Sequence, residues 1–524
     1  MIQTGGHRIL QLFHSRDLSM NFNNGTQIAF PVLPTPRCPL RFALLRAWLQ
    51  SCDEHDKCKP TGSHRSPTRL LYVGNPDSST YDPRSLELVL GDEIAGEKYI
   101  ALSHRWGLVQ PNKVPEHCTT IANLSSRRGG FAIDELPLTF RDVVEVARCL
   151  KVQYLWLDSL CIVQGSEEDW ERESKCMEDI YSSAYFTLAA TAAVDSNSGF
   201  LQRNITSEYV CIQDDSGQLM YTCTCPADFD REVDQAPLNK RAWVMQERFL
   251  SRRTIHFGAN QMYWECGEGV YCENLTRLKS NVRTNKEFKL DPQFPKLLFN
   301  SGYSATLAFL SSFLEDYSNR HLTKPTDRVR ALSGLTARIE QALSCEENFS
   351  IFELYLHRNL LWERTGPMER INYESQKVPS WSWMAYTGGI KFIDDLYGNL
   401  EIFIPLEFFE EDKKMLQTDV WRFEENCHLG EESEGEFKTR RQILNSLGQK
   451  VGWLSFDVED RKEFRGEQVV VVGKKRQVDG SENQMFHVLL VRQSDGAENE
   501  FERVGMGMVQ QGYLSRQQRN VCII

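Results

Sequence analysis

Two stretches and one lone acid in this sequence set reactive residue types at suggestive spacings. "NKRAWVMQERFLSRR" (residues 239–253) places one carboxylate, Glu247, among five basic side chains, with Trp243 four positions before it. On a helix, that separation puts both side chains on one face about one turn apart. "SHRWG" (residues 103–107) brings Ser103, His104, Arg105 and Trp106 directly after the apolar run "YIAL". Asp158 ends a second apolar run, "YLWL". Each residue also has a plain structural use: Glu247 as an ion-pair partner, Asp158 as a cap on nearby amides, Trp106 as core. Brought to one sheet edge, they form a candidate site.

A metal is the other chemistry to weigh. "CDEHDKC" spaces Cys52, His55 and Cys58 as zinc ligands are spaced, but a tetrahedral structural site takes four. No fourth ligand is adjacent, although Cys38 is conceivable, so the expectation is a solvated loop holding a half-buried thiol and no metal. "GDEIAGEK" nearly fits a phosphate loop, yet Glu97 stands where the lysine belongs and would repel phosphate. "GMGMVQQG" has the wrong glycine spacing and no following helix.

The elements that must position these residues are legible from periodicity. "YIAL", "YLWL" and "YFTLAAT" are short, continuously apolar runs, as in strands buried on both faces. Between the first two, Phe140, Val143, Val144, Ala147 and Leu150 fall at helical spacing, with Thr139 and Asp142 read as a capping box. Between the second and third, Trp170, Met177, Tyr181 and Ala184 mark one helical face. "LNKRAWVMQERFLS" reads as a further helix with Asn239 as cap, followed by strand-like "TIHF" and "QMYWEC". Strands alternating with helices predict an α/β fold, a parallel sheet with helices on both faces, whose ligands bind at the carboxyl ends of the strands. Ser103 and Asp158 sit at two such ends.

The division expected along the chain is a partly ordered leader (1–95), an α/β domain (96–265), a helical region (266–370) and a β-rich C-terminal region (371–524). A formal charge of -12 leaves no excess of cations to neutralise phosphates, which argues against a general nucleic-acid binder. No run of about 18 apolar residues is present, so no membrane span is expected. The first 13 residues lack the apolar core of a signal peptide, and the 15 cysteines are scattered rather than set in a compact framework. A cytoplasmic protein with reduced thiols is the expectation.

Three blocks, "YIALSHRWG", "LPLTFRDVVEVARCLKVQYLWLDSLCIVQGSEEDWERESKCMEDIYSSAYFTLAA" and "PLNKRAWVMQERFLSRRTIHF", resemble in order and spacing those of the fungal heterokaryon-incompatibility (HET) domain. "SHRWG" departs slightly, since many members have Tyr or His followed by Cys before the Trp. The resemblance implies a role in fungal nonself recognition, in which the domain triggers cell death after fusion of incompatible hyphae. HET domains have been proposed as distant relatives of TIR domains, which implies a TIR-like (flavodoxin-like) sheet. Some TIR domains cleave NAD+ with a Glu placed four residues after a Trp, a spacing that Trp243 and Glu247 reproduce. By that likeness Glu247 is the catalytic carboxylate, Arg105 contacts ribose or phosphate, and Ser103, Trp106, Asp158 and Trp243 line the pocket. NAD+ is then a substrate; no resident cofactor is implied. The alternative is a non-enzymatic module that acts by self-association or recruits another incompatibility protein.

Overall fold

The computed structural model describes residues 39–60, 66–108, 113–203, 228–278, 291, 294–374, 376–393, 400–402, 406–432, 439–458, 463–464, 466–476, 484–496 and 498–524, with the backbone of strands at 2–4, 7–14, 209–213 and 219–223. The chain divides into two compact units, residues 1–297 and 298–524.

In the first unit the apolar runs do become buried strands. We number the strands of its main sheet β1 (Arg69–Tyr72), β2 (Ser85–Leu90), β3 (Tyr99–Ser103), β4 (Phe131–Ala132), β5 (Tyr154–Trp156), β6 (Phe186–Ala189), β7 (Arg253–Phe257), β8 (Met262–Cys266), β9 (Gly269–Cys272) and β10 (Arg277–Leu278). Their order across the sheet is β10-β9-β8-β7-β6-β3-β5-β1-β2-β4. Only the centre is parallel: β3 pairs in parallel with β5 and β6, and β6 with β7. Numbered along the chain, these four strands lie in the order 2-1-3-4.

The expectation of a parallel sheet is therefore corrected to a mixed one. Connections decide the difference, since parallel neighbours need a long crossover and antiparallel ones only a turn. Four residues join β7 to β8 and two join β8 to β9, so that edge can only be antiparallel. At the other edge β1 pairs antiparallel with both β2 and β5. The segment read as a leader thus supplies two strands of the sheet. It also supplies helix α1 (Pro39–Glu54), whose Phe42, Leu45 and Leu49 are buried.

Helices lie on both faces. Side chains alternate along a strand, so Ile100 and Leu102 of β3 point one way and Tyr99, Ala101 and Ser103 the other. Ile100 and Leu102 share a core with α1 and with Phe140, Val143, Val144 and Ala147 of α2 (Leu138–Cys149). On the opposite face lies α3 (Glu167–Ser183): the Tyr99 hydroxyl donates to the Ile180 carbonyl, and Tyr181 meets Trp156 edge-on. Helix α4 (Ala242–Phe249) follows between β6 and β7.

Both helix starts differ from what the local sequence predicts. Thr139 does not cap α2; its hydroxyl donates to the Asp195 carbonyl, and Asp142 accepts the amides of Phe200 (2.8 Å) and Leu201 (3.0 Å). Tertiary partners outcompete the local capping box because the loop at 195–201 otherwise buries two amides unpaired. Asp142→Ala is expected to cost about 2 kcal/mol or more, read as a lower urea midpoint at unchanged slope. Asn239 likewise bonds the Val233 carbonyl, and Arg241 occupies the cap of α4.

The second unit begins with helices α5 (Tyr303–Ser318) and α6 (Arg330–Leu343) and continues into a barrel. Strands β11 (Leu416–Phe423), β12 (Lys450–Phe456), β13 (Gln468–Lys475), β14 (Met485–Gln493), β15 (Glu500–Gln510) and β16 (Leu514–Ile523) carry it. Five of them close a ring, β11-β16-β15-β14-β13 and back to β11. Val469, Val471, Val488, Leu490 and Val509 form part of its core. The "GMGM" glycines serve strand packing, not phosphate: a Cβ at Gly505 or Gly507 would come within 2.5 Å and 2.2 Å of the Ser455 and Trp453 carbonyl oxygens of β12. Arg503 on β15 is fully buried. It pairs with Asp457 (Nε to Oδ2, 3.0 Å), donates to the carbonyls of Leu360 and Trp362, and lies 3.5 Å from the centre of the Trp362 ring.

Among the described residues no helix is long and apolar enough to cross a membrane.

Candidate functional site

Ser103 is the last residue of β3 and faces the side of the sheet that α3 and α4 cover. That placement brings it to Glu247, in the second turn of α4: the Ser103 hydroxyl donates to Glu247 Oε2 in a short hydrogen bond. Glu247 as a residue is 6 % exposed. Burial pushes it up to about 7; Arg241 and the Ser103 hydroxyl pull it back, while the Asp158 charge adds to the rise and Tyr181 opposes it. A carboxyl held near neutrality can ionise on demand, as a base or a stabiliser of positive charge must.

Asp158 begins the turn that follows β5. Its Oδ1 accepts the Ser159 amide at 2.7 Å and its Oδ2 accepts the Trp106 indole N–H at 2.9 Å. The capping use foreseen for it is real, and the same carboxylate fixes Trp106. His104 lies beside Asp158, on the Phe140 side of the sheet. It is buried, with Nδ1 3.9 Å from Asp158 Oδ1 and its ring stacked 6.5 Å from that of Trp106. Burial pushes the imidazole down to about 4, so it is neutral at physiological pH, and its Nε2 has no hydrogen-bond partner among the described residues. Phe140 supports the imidazole edge-on at 5.0 Å.

Ser103 is thus paired with Glu247 and Trp106 with Asp158, and the Asp158 charge acts on Glu247. Among the described residues Arg105 does not join them by a hydrogen bond; its charge acts on Asp195, and its carbonyl accepts from Ser196. Trp243 is half-buried one turn before Glu247 on α4. Gly107, which closes "SHRWG", has φ +88°, and a Cβ there would come within 2.6 Å of the Asp195 side chain, so the turn out of β3 requires glycine.

The basic residues around Glu247 turn out to have separate duties. Arg248 is held by Glu265 and Asp234, Arg253 by Asp53, and Arg252 by the carbonyls of Cys58 and Ala184. Of the four arginines, Arg241 is the one that pulls on the Glu247 carboxyl, and it donates to the His104 carbonyl at 2.6 Å. Sequence reasoning named neither Arg241 nor Tyr181 as a residue of the site. Arg241 was one of several cations, and Tyr181 read as one apolar mark on a helix face.

The site stands at a defined place in the sheet. Between β3 and β6 the chain leaves in opposite senses, β3 toward α2 on one face and β6 toward α4 on the other, which is the kind of topological switch point where open α/β sheets bind ligands. Ser103 and Ala189 are the last residues of those two strands, and the Ala190 amide donates to the Ser103 carbonyl at 2.9 Å. A separate open groove of about 360 Å3, lined by Arg46, Asp53, Leu150 and Tyr185 among others, lies at the amino ends, since Tyr185 immediately precedes β6.

Residues 99–247 match the family model described as Heterokaryon incompatibility protein (HET). No curated protein and no solved structure matches the chain significantly. The matched segment runs from the first residue of β3 to Glu247 itself, so Ser103, Asp158 and Glu247 all lie within it: the chain carries a HET domain.

Proposed function

We propose that this HET domain is a cell-death effector of fungal nonself recognition and that it acts by cleaving NAD+, with Glu247 as the working carboxylate. One observation carries the reading: the buried Glu247 carboxyl, which burial raises to about 7, is bonded by Ser103 at the carboxyl end of β3. Supporting it, the parallel strands follow the order 2-1-3-4 of a flavodoxin-like sheet, whose ligands bind at such a switch point. The Trp243 and Glu247 pair has the spacing of NAD+-cleaving TIR domains. Cleavage of the nicotinamide–ribose bond passes through an oxocarbenium-like state. Ionised Glu247 would stabilise that charge and orient the ribose hydroxyls while Ser103 fixes the carboxylate. Trp106, held by Asp158, would offer a stacking face, and Arg105 a charge for ribose or phosphate. Water completes the reaction, giving ADP-ribose, nicotinamide and a proton.

The test is nicotinamide release by the purified chain, with self-association enforced. Wild type should release it, at a rate that rises with pH through about 7 as Glu247 ionises. Glu247→Ala should be slower by about 100-fold or more. Equal rates for the two proteins, or none from wild type, would sink the enzymatic reading.

A second reading has its own support in the 6 % exposure of Glu247. On it the domain signals by self-association or by recruiting another incompatibility protein, and Glu247 is a structural residue. Toxicity in a fungal cell that survives Glu247→Ala with cellular NAD+ unchanged selects this reading.

A further inference from the structure

Four potential metal ligands that the sequence scatters meet in the first unit. Cys52 lies in the last turn of α1, His55 directly after it and Cys58 in the single 3-10 turn Asp56–Cys58, while Cys266 ends β8. The donor atoms all lie within 4.8 Å of one another. A tetrahedral zinc with Zn–S of about 2.3 Å and Zn–N of about 2.0 Å has ligand-to-ligand edges of roughly 3.5 to 3.8 Å. His55 Nε2 is 3.7 Å from Cys266 Sγ, already one such edge, across 211 residues of sequence.

We propose that Cys52, His55, Cys58 and Cys266 form a closed structural zinc site that fastens the end of α1 to the β8–β9 hairpin. A count of four protein ligands leaves no open coordination position, which marks a structural site and not a catalytic one. Three thiolates and one imidazole are soft to borderline donors, the set that favours zinc over magnesium or calcium. The surroundings suit bound thiolates. The Gly267 amide donates to Cys58 Sγ at 3.3 Å, as supporting groups around a metal site do. The complex would carry one net negative charge, and two buried cations stand beside it: Arg252 donates to the Cys58 carbonyl at 3.1 Å, and the Arg253 charge acts on Cys52. A disulfide would use only two of the three sulfurs and would leave His55 Nε2 without its role. The three cysteines are buried in the same apolar cluster as Leu49 and Trp264, so the site closes a core contact between segments far apart in sequence.

The test uses the full chain, purified without chelator and assayed for bound metal. About one zinc per chain is expected. After removal, cobalt(II) should rebind with the visible bands of a tetrahedral, thiolate-ligated ion. Cys266→Ser should weaken metal binding by at least about 10-fold, while Cys118→Ser, at a buried thiol outside the cluster, should leave it unchanged. Should Cys266→Ser fail to fold, His55→Cys decides: it should keep one metal per chain and shift the cobalt spectrum toward that of a four-thiolate site. No zinc and no cobalt uptake by wild type, an unshifted spectrum in His55→Cys, or a disulfide among the three cysteines in denatured thiol titration overturns the proposal.

Discussion

Between pH 4 and pH 8, Glu247→Gln is expected to gain on wild type by about 3 kcal/mol of folding stability. The sign follows from the higher proton affinity of the folded state. The Glu247 carboxyl ordinarily titrates near 4.5 and burial raises it to about 7 in the fold, so the folded state holds its proton more tightly than the unfolded chain. A group of that kind contributes its full stabilisation below about 4.5 and loses it as pH climbs to 7. A tenfold difference in proton affinity between the two states is worth about 1.4 kcal/mol, which sets the size. Glutamine has nothing to ionise and can still accept from Ser103, so its stability lacks that fall. The readout is the difference in urea midpoint between variant and wild type across the pH range; comparing the two proteins cancels every other titrating group. Parallel pH profiles would show that Glu247 is not the poised group. The same substitution should abolish nicotinamide release, so a residue that weakens the fold at neutral pH is the one that the proposed chemistry needs.

Arg503→Ala should destabilise the second unit by about 3 to 5 kcal/mol. The guanidinium bridges β15 to the Asp457 carboxylate and to two backbone carbonyls, all buried. Alanine would strand an acid in a place where burial already pushes its carboxyl up despite the arginine beside it. Without Arg503, Asp457 should take up a proton, so part of the loss should be recovered at low pH. Replacing both partners, Arg503→Met with Asp457→Leu, should cost far less than the single change, because two buried charges leave together. Denaturant melts of the three variants form the test; a single-variant loss below about 1 kcal/mol would show that the pair is dispensable.

How far the sequence reaches can be judged residue by residue. Ser103 and Asp158 were legible because a buried parallel strand is a continuous apolar run and its end is where such sheets bind. Glu247 was legible as an isolated acid in a basic helix. The edge formed by β1, β2 and β4 was not, because β2 alternates exposed and buried residues and sits among turns and prolines that read as irregular. Arg241 was hidden by its neighbours: four arginines of one stretch look alike until each partner is known. Cys266 was missed for a related reason, since a ligand 211 residues from His55 leaves no local spacing to find. Thr139 and Asp142 show the converse, a convincing local motif overruled by amides from a distant loop.

The long reach between α1 and β8 also bears on how the chain is made. The first buried helix finds its partners Trp264 and Cys266 only after more than two hundred further residues have been synthesised. At about 5 to 20 residues per second, that is a wait of roughly 10 to 40 s on the ribosome, during which Trp48 and Cys52 lack their neighbours on β8. The late-closing contact of α1 is therefore a point at which a chaperone would have time to act during translation, although α1 lies outside the matched family segment.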